Sequence, residues 1–513
     1  MGWHEASDAQ KHLRGSRRSL LKGAAALTAL SALPWSMRQA LADDTHALLV
    51  IGAGTAGMAA AIFAAQRGAH VVVVEGSRAI GGTLMYTGGN MGAAGTVFQR
   101  ARGIRDTPQQ HYDDVMRISR GTAIAEMTRL WVEHAGGMVD WLAGLGLRLP
   151  EDGLSLGVYD HYAIARYHGP ENSGRSIFAV MQPEFERFQQ AGRITLMTEA
   201  RALELILDPR GQVRGAVVQD RGGLRSDVRA RKTIIATGGC ASNPALFEAL
   251  HGVPLYRRIA APTSTGDGLL LGLGVGGQLR CAGNYVGYHG AIVDDEKWPF
   301  QTSASMVLDP RDRPPWELYV NARGERFMRE DLDGMSARNV AMDRQPGHRF
   351  WAVFDQATLD AASSLVASWD RRRLDAAFDR HPMCHRAESW AELGVRAGID
   401  PAGLHGSVAD YNASISAGSA DRFGREYRPR QLQPGPLYAI RSQTWTLKSY
   451  AGLTVDEELR LLDGDGDVIP GLYAAGEVLG AVAGGKAHTN GASLTPALTF
   501  GKLLGERLSR PRG

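Results

Sequence analysis

Cysteine is scarce in this chain, and its scarcity excludes several classes of protein. Only Cys240, Cys281 and Cys384 occur among the 513 residues. They are too few and too scattered for a disulfide framework or a zinc site, and no CxxCH haem-attachment motif is present. Any metal ion or haem that serves this chain must therefore lie on a partner, and we expect no metal site here.

Long apolar runs and a strong charge of one sign are also missing. Outside the first forty residues no segment approaches twenty uninterrupted apolar residues, so we expect no stable insertion into a membrane. The net charge is +3, of which residues 1–42 contribute +4, because they carry six Lys or Arg and two Asp or Glu. The remainder is close to neutral, and a chain with this balance has no global affinity for nucleic acid.

Glycine, by contrast, is abundant. It supplies 63 of 513 residues, about 12% against roughly 7% in average proteins. Hydrophobic residues at 44% and charged residues at 22% form an ordinary globular mixture, which excludes disordered and coiled-coil chains. The length predicts about three domain-sized masses. So many glycines in a globular chain indicate tight turns and close approaches of the backbone to a ligand, as in a cofactor-binding fold.

The first forty residues have the pattern of an export signal. The pair Arg17 and Arg18 precedes an apolar run over residues 23–35, and Ala40 and Ala42 form a small-x-small cleavage site. The apolar run is too short to span a bilayer. The pattern predicts a twin-arginine signal over residues 1–42, cleaved after Ala42, and a periplasmic mature protein; the alternative is an ordinary basic helix. Because this route carries folded proteins, it suits a chain that binds its cofactor before export.

A dinucleotide-binding fingerprint follows at once. An apolar run over residues 47–51 leads into Gly52, Gly54 and Gly57 and a helical segment, and a second apolar run ends in Glu75. Gly52 permits the turn, Gly54 lets a pyrophosphate approach the backbone, and Gly57 lets helix and strand pack closely. Glu75 is placed to accept hydrogen bonds from an adenosine ribose. The motif predicts a nucleotide cofactor, although NAD and FAD both use it.

Glycine clusters further along the chain favour FAD. A second glycine-rich loop spans residues 81–91, where a longer ligand needs backbone access again. Three β-like runs between residues 201 and 236 are separated by turn signals and form a meander. A strand-like segment over residues 471–475 runs into Gly476 and Glu477, and Thr495 with Pro496 signals the start of a last helix. The positive end of that helix could face a reduced, anionic flavin.

Together these motifs resemble the flavoprotein superfamily of the FAD-dependent fumarate reductases and succinate dehydrogenases, which includes the 3-ketosteroid Δ1-dehydrogenases. The resemblance covers nearly the whole chain after the signal and is most specific at the fingerprint and at residues 265–268, 321–327 and 471–501. It implies an α/β fold: a Rossmann-like FAD-binding domain with a β-meander, interrupted by an α+β capping domain. The implied division is FAD-binding domain at 43–282 and 435–513, and cap at 283–434.

The resemblance also implies which residues bind FAD. The residues expected at the cofactor are Gly52, Gly54, Thr55, Ala56, Gly57, Glu75, Gly82, Thr83, Gly88, Gly89, Ala202, Thr237, Gly238, Asp267, Glu477, Ser493 and Leu494. Succinate dehydrogenases attach their flavin through a histidine in the loop that here covers residues 82–86, and this loop has none. We therefore expect non-covalent FAD.

Members of this superfamily move a hydride between flavin N5 and a carbon beside a carbonyl or carboxylate, while a protein group moves a proton at the neighbouring carbon. The residues that correspond to their substrate contacts are only partly kept. His289 falls at a substrate histidine, Lys448 at one of a histidine pair, and His488 at a loop arginine whose companion glycine is kept as Gly491. No arginine stands at the proton-donor position, and Arg338, four residues on, could substitute for it.

The steroid-dehydrogenase pattern also breaks at its chemistry, since Ala487 replaces the tyrosine that stabilises the enol. The sequence therefore predicts an enzyme with its own substrate: an FAD-dependent oxidoreductase that makes or removes a C–C double bond on a small molecule, with an external electron donor or acceptor such as a cytochrome, a quinone or oxygen. The alternative is a flavin-binding electron-transfer or accessory protein without a substrate. A large cap favours the enzyme, because a pure electron carrier needs an exposed flavin edge.

Overall fold

The computed structural model of the chain describes residues 46–255, 260–294 and 302–509. The predicted export signal and its cleavage site after Ala42 lie outside these residues. Within them, no helix is long and apolar enough to cross a bilayer. In the same ranges, no three side chains of His, Cys, Asp or Glu are grouped so as to hold a metal ion.

A six-stranded sheet organises the larger part of the fold. Its strands lie in the order Arg460–Leu462, Val468–Ala474, Thr233–Ile235, Leu48–Ile51, Val71–Val74 and Ile194–Met197. All neighbouring pairs of strands are parallel except the edge pair, Arg460–Leu462 with Val468–Ala474, which is antiparallel. Strands of a parallel sheet are covered on both faces, which is why the two runs around the fingerprint are continuously apolar and fully buried.

Helices cover this sheet. They span Thr55–Gln66, Val97–Ala101, Pro108–Ile118, Ala125–Gly144, Gly174–Gln190, Pro244–His251, Asp267–Gly274 and Leu494–Leu508. The first and last of them pack most closely, because a Cβ atom at Gly501 or Gly505 would overlap the carbonyl oxygen of Ala56 or Ala60. These two glycines, one helical turn apart, let the last helix lie directly against the fingerprint helix.

Three small sheets complete this part. The predicted meander is an antiparallel sheet of Arg201–Leu207, Val213–Gln219 and Arg225–Arg229. The two other sheets pair Met91–Gly92 and Leu154–Ser155 with Tyr167–His168, and Leu279–Arg280 with Gly452–Leu453. Short 3₁₀ helices occupy Gly82–Tyr86, Ala282–Asn284, Pro346–His348 and Glu477–Leu479.

A second, antiparallel sheet forms the predicted α+β cap. Its strands are Thr302–Ser305, Tyr288–Val293, Leu437–Trp445, Arg349–Asp355 and Leu318–Val320 in that order, with Cys384–Ala387 also paired to Leu437–Trp445. The surrounding helices are Met335–Asp343, Gln356–Ala361, Arg371–Arg380, Trp390–Ala397 and Pro401–Ser416. Side chains alternate along a strand. Phe350 and Phe354 therefore pack in one apolar core of the cap, and Trp351 and Val353 in another on the opposite face.

One boundary differs from the sequence prediction. The capping segment was expected to end at residue 434, yet the strand Leu437–Trp445 pairs with three strands of the capping sheet. The cap therefore extends to Trp445. The physical reason is long-range strand pairing, with Arg349–Asp355 as one partner, which local turn signals do not reveal.

Candidate active site

A large cavity lies where the fingerprint, the second glycine-rich loop and the last helix meet the capping sheet. Its volume is about 640 Å³. All the residues expected at the cofactor line it except Gly57, which is packed behind the turn. Among the expected catalytic residues, Lys448, His488 and Gly491 line the cavity, whereas His289 and Arg338 do not.

The fingerprint helix presents a bare N-terminus to this cavity. Its cap residue, Gly54, makes no side-chain capping hydrogen bond, and the first four N–H groups of any helix lack partners within the helix. A Cβ atom at Gly54 would meet nothing within 4 Å, whereas at Gly52 it would lie 2.5 Å from the carbonyl oxygen of Ala236. Free N–H groups and an open approach form an anion site that fits a pyrophosphate.

Glu75 is buried at the end of the second strand and has two tasks. Its Oε2 accepts a hydrogen bond from the N–H of Ala53 at 2.7 Å, and its Oε1 accepts two from the N–H and hydroxyl of Ser77 at 2.8 Å. A carboxylate has about four acceptor positions, so one remains toward the cavity for a ligand hydroxyl. Glu75 therefore also holds the fingerprint turn in place.

A bidentate ion pair lines the wall beside the meander. Arg201 donates to both carboxylate oxygens of Asp267 at 2.6–3.0 Å, and Thr265 donates to the same carboxylate at 2.9 Å. Asp267, expected at the cofactor, is thus oriented by its own neighbours. On the second glycine-rich loop, the Thr83 hydroxyl accepts a hydrogen bond from the N–H of Ala261 at 3.1 Å.

The last helix begins at Leu494 with Ser493 as its N-cap residue, two residues before the start that Thr495 and Pro496 indicate. The Thr495 hydroxyl instead accepts a hydrogen bond from the N–H of Gly92 at 3.0 Å. Ser493 accepts one from the Lys448 ammonium at 3.0 Å. This helix end and a cation therefore meet at the cavity wall, as an anionic ligand group requires.

Lys448 is the cation of this wall. Burial lowers the pKa of its ammonium to about 8, against the opposing effect of Glu477. Burial in turn raises the pKa of the Glu477 carboxyl, which accepts a hydrogen bond from the N–H of Ser449 at 2.9 Å. Lys448 makes no ion pair with the described residues, and it lines the cavity.

Four rings that line the same cavity form an aromatic wall, which we define as Tyr159, Tyr288, Trp445 and His488. The Tyr288 ring is stacked between His488, at 3.9 Å between centroids, and Trp445, at 4.6 Å. Tyr159 is tilted against Tyr288 at 5.8 Å and against His488 at 5.7 Å. All four line the cavity. Burial raises the pKa of both tyrosines, and their hydroxyls are close enough to affect each other's pKa.

His488 is neutral in this setting. Burial, and then the charge of Lys448, lower its pKa to about 3. Its Nε2 lies 3.2 Å from the carbonyl oxygen of Gly287. A carbonyl only accepts hydrogen bonds, so Nε2 carries the proton and Nδ1 is an acceptor. A neutral His488 supplies no positive charge to the cavity at neutral pH, and its role there stays a prediction.

His289 and Arg338 face the interior of the cap. The Nε2 of His289 lies 2.9 Å from Oδ1 of Asp343, and its side chain has no exposed surface. Arg338 is paired with Asp309 at 3.1 Å and donates to the carbonyl of Leu332 at 2.9 Å. Both expected catalytic residues are thus bonded to carboxylates of the cap and do not line the cavity, and their catalytic roles stay predictions.

The sequence contains a signal for the face of the strand on which His289 lies. Successive side chains of a strand point to opposite faces, and the strand Tyr288–Val293 begins at the residue before His289. Tyr288 and His289 are neighbours on this strand, so their side chains point to opposite faces, Tyr288 toward the cavity and His289 toward the core of the cap. The sequence reasoning missed Tyr288, and it missed Tyr159 and Trp445, which reach the same wall from distant segments.

Comparison with known proteins now identifies the class. The family model described as "FAD binding domain" matches residues 47–494. The chain therefore belongs to this FAD-binding family, it is an FAD-dependent oxidoreductase, and the predicted resemblance is confirmed. The cavity described above fits FAD, because it offers a bare helix end for a pyrophosphate and the Glu75 carboxylate, which has an acceptor position left for a ligand hydroxyl.

Individual relatives carry names of reductases and dehydrogenases. The chain is 28% identical over 474 residues to "Fumarate reductase (cytochrome)" of Shewanella frigidimarina, covering 91% of this chain and 77% of that one. It is 26% identical to "Urocanate reductase" of Eggerthella lenta, covering 89% and 73%. The structure of a 3-ketosteroid Δ1-dehydrogenase from Sterolibacterium denitrificans matches 91% of this chain and all of that chain with a TM-score of 0.69, at 19% identity. That last likeness confirms the predicted fold.

Proposed function

We propose that this protein reduces a C–C double bond beside a carbonyl or carboxylate of a small molecule. FAD, when bound and reduced by an external electron donor, would supply the hydride that such a reaction needs. The observation that supports this function is that two phenols, Tyr159 and Tyr288, line the same cavity as Lys448 and the FAD fingerprint. An enclosed cavity with such groups has no use in a pure electron carrier.

Each of these residues has a distinct task in the proposed reaction. Lys448 binds the carbonyl or carboxylate oxygen and stabilises the negative charge that develops there. Tyr288 donates the proton to the carbon beside that group, and Tyr159 holds the Tyr288 hydroxyl and resupplies the proton. His488 fixes the Tyr288 ring by stacking at 3.9 Å. Burial raises the pKa of Tyr288, so it is a neutral phenol that carries a proton to donate.

The test is anaerobic reoxidation of the photoreduced, FAD-loaded enzyme by a panel of enones, ketosteroids and unsaturated acids. With the fastest compound, Tyr288→Phe should slow reoxidation by roughly 10²–10⁴-fold, the usual range for losing a general acid, while the FAD content stays normal. Tyr427→Phe, which changes a half-exposed cap tyrosine away from the cavity, is the matched control. Unchanged reoxidation in Tyr288→Phe would contradict the assignment.

We further propose that the FAD is bound without a covalent link. The chain is exported by the twin-arginine route, and in the periplasm it receives electrons from an external donor such as a cytochrome or a quinol. The name of the Shewanella relative, with its cytochrome, supports an external electron partner, and the paired Arg17 and Arg18 support the route. Replacing both arginines by lysine should leave the full-length, tagged protein in the cytoplasm. Unimpaired export of that variant would contradict the route.

A further inference from the structure

The cavity carries an inference about its substrate that rests on the proposed function. The residues that line it include few charges. Among the described ones, Glu75 follows the fingerprint, Arg201 begins the meander and Asp267 begins the helix Asp267–Gly274, and Arg201 and Asp267 are paired with each other. Near the aromatic wall the lining charges are Lys448 and Glu477, since His488 is neutral.

This charge count limits the substrate. An anion taken from water into a buried site must be paired with a cation, because an unpaired buried charge costs several kcal/mol. Lys448 can pair with one carboxylate, and Glu477 already interacts with it electrostatically. A second carboxylate near the aromatic wall would meet no described cation. Both His289 and Arg338, which could have supplied one, are bonded to carboxylates in the cap.

The aromatic wall limits the shape of the rest of the molecule. Because Tyr288 is stacked between His488 and Trp445, at interplanar angles of 29° and 28°, both faces of its ring are covered and its edge turns to the cavity. The edge of an aromatic ring is partially positive and prefers the π face of another ring. A flat, conjugated molecule therefore gains more from this wall than a saturated one of equal size.

We propose that the substrate is a planar, conjugated aromatic compound with a single terminal oxygen group, a carboxylate or a ketone, that binds Lys448, and that dicarboxylates are excluded. The double bond to be reduced lies between the ring and that group. The conjugation places it between the aromatic wall and Lys448, next to the Tyr288 hydroxyl.

Equilibrium binding to the oxidised, FAD-loaded enzyme tests this without turnover, by following the flavin absorbance. The probes are cinnamate, 3-cyclohexylacrylate, 4-phenylbut-3-en-2-one and fumarate. Compared with cinnamate, 3-cyclohexylacrylate keeps the enoate but not the aromatic ring, and 4-phenylbut-3-en-2-one replaces the carboxylate by a ketone. We expect cinnamate or the phenyl ketone to bind at least about tenfold more tightly than 3-cyclohexylacrylate. Fumarate should bind at least about 100-fold more weakly than cinnamate. The tighter of the two phenyl compounds identifies the terminal group.

Two variants separate the contributions. Lys448→Met should weaken the preferred phenyl compound at least about tenfold, while Lys502→Met, a charge change away from the cavity, should not. Trp445→Leu should remove the preference for the aromatic over the cyclohexyl probe, Trp445→Phe should keep it, and Trp316→Leu serves as the control in the cap. Fumarate binding as tightly as cinnamate, or equal binding of cinnamate and 3-cyclohexylacrylate to the unaltered enzyme, would overturn the proposal. Neither result depends on hydride transfer, so a failed reaction assay and a failed substrate class remain distinguishable.

Discussion

Two glycines of the fingerprint, Gly54 and Gly57, should give opposite results when each is replaced by alanine. Gly54 has φ −76° and ψ −166°, a conformation that alanine adopts freely. Its added Cβ would meet no protein atom within 4 Å. At Gly57 the Cβ would overlap the carbonyl oxygen of Gly52 and lie 3.3 Å from Cγ1 of Val50. The methyl group of Gly54→Ala would occupy space that the ligand needs, and the methyl group of Gly57→Ala would occupy space that the folded protein needs.

The magnitudes follow from what each methyl displaces. At Gly54 the added methyl group occupies the space through which the pyrophosphate approaches the helix end. It should break one or two charge-assisted hydrogen bonds, worth roughly 1.5–3 kcal/mol. This corresponds to a Kd for FAD about 10- to 150-fold weaker. At Gly57 the obstacle is backbone that cannot rotate away, so the fingerprint helix must move from its strand, at a cost of about 1–3 kcal/mol or more in folding free energy.

The assay is thermal unfolding of both variants with FAD removed, followed by FAD titration. Apo Gly54→Ala should have the Tm of the apo wild type and a weaker Kd, whereas apo Gly57→Ala should have a lower Tm. Gly464→Ala controls for glycine replacement as such, because Gly464 lies at an exposed turn, has no positive φ, and a Cβ there would meet nothing within 4 Å. If Gly54→Ala bound FAD with wild-type affinity, the pyrophosphate would not lie at this helix end and the reasoning would fail.

Three further predictions concern the cofactor and pH. Acid precipitation should release all flavin into the supernatant, since the loop over residues 82–86 lacks a histidine; colour left in the pellet would contradict non-covalent binding. Glu75→Ala should be purified flavin-poor and regain activity with excess FAD. Its apo form should have a lower Tm than the apo wild type, because the Ala53 N–H loses its acceptor. A fully loaded variant with unchanged Tm would refute both tasks of Glu75. Because the pKa of His488 is about 3, substrate binding should stay constant from pH 5 to 7. It should weaken as pH rises through the Lys448 pKa of about 8, where the ammonium loses its proton; a Kd that rises already between pH 6 and 7 would mean that a histidine supplies the charge.

The cofactor half of the site could be predicted because its signals are local. The fingerprint strand, turn, helix and Glu75 lie within thirty residues, and each residue type is fixed by one physical need. The structure confirms the fold and places these residues around one cavity. Their contacts to FAD stay predictions.

The substrate half could not be predicted because its geometry depends on long-range pairing. His289 lies 54 residues from Asp343, and only the fold shows that the two are bonded. The four rings of the aromatic wall come from equally distant segments. Tyr288 had a local signal, the strand alternation with His289, but it decides which residue faces the cavity only when the position of the sheet is known.

The position of the aromatic wall explains why a chain can keep its cofactor and change its substrate. Tyr288 is the first residue of a cap strand, Trp445 is the last residue of another, and Lys448 lies three residues beyond it. His488 lies in the loop before the last helix. Tyr288, Trp445 and Lys448 stand where the chain passes between the capping sheet and the FAD-binding part, and His488 lies in a loop of that part, so none of the four belongs to the sheet that carries the fingerprint or to the apolar cores of the cap. Connecting segments tolerate such changes better than packed elements do. Substrate choice in this chain is therefore best sought in these crossing segments, and the fingerprint, which every relative needs for FAD, carries no information about it.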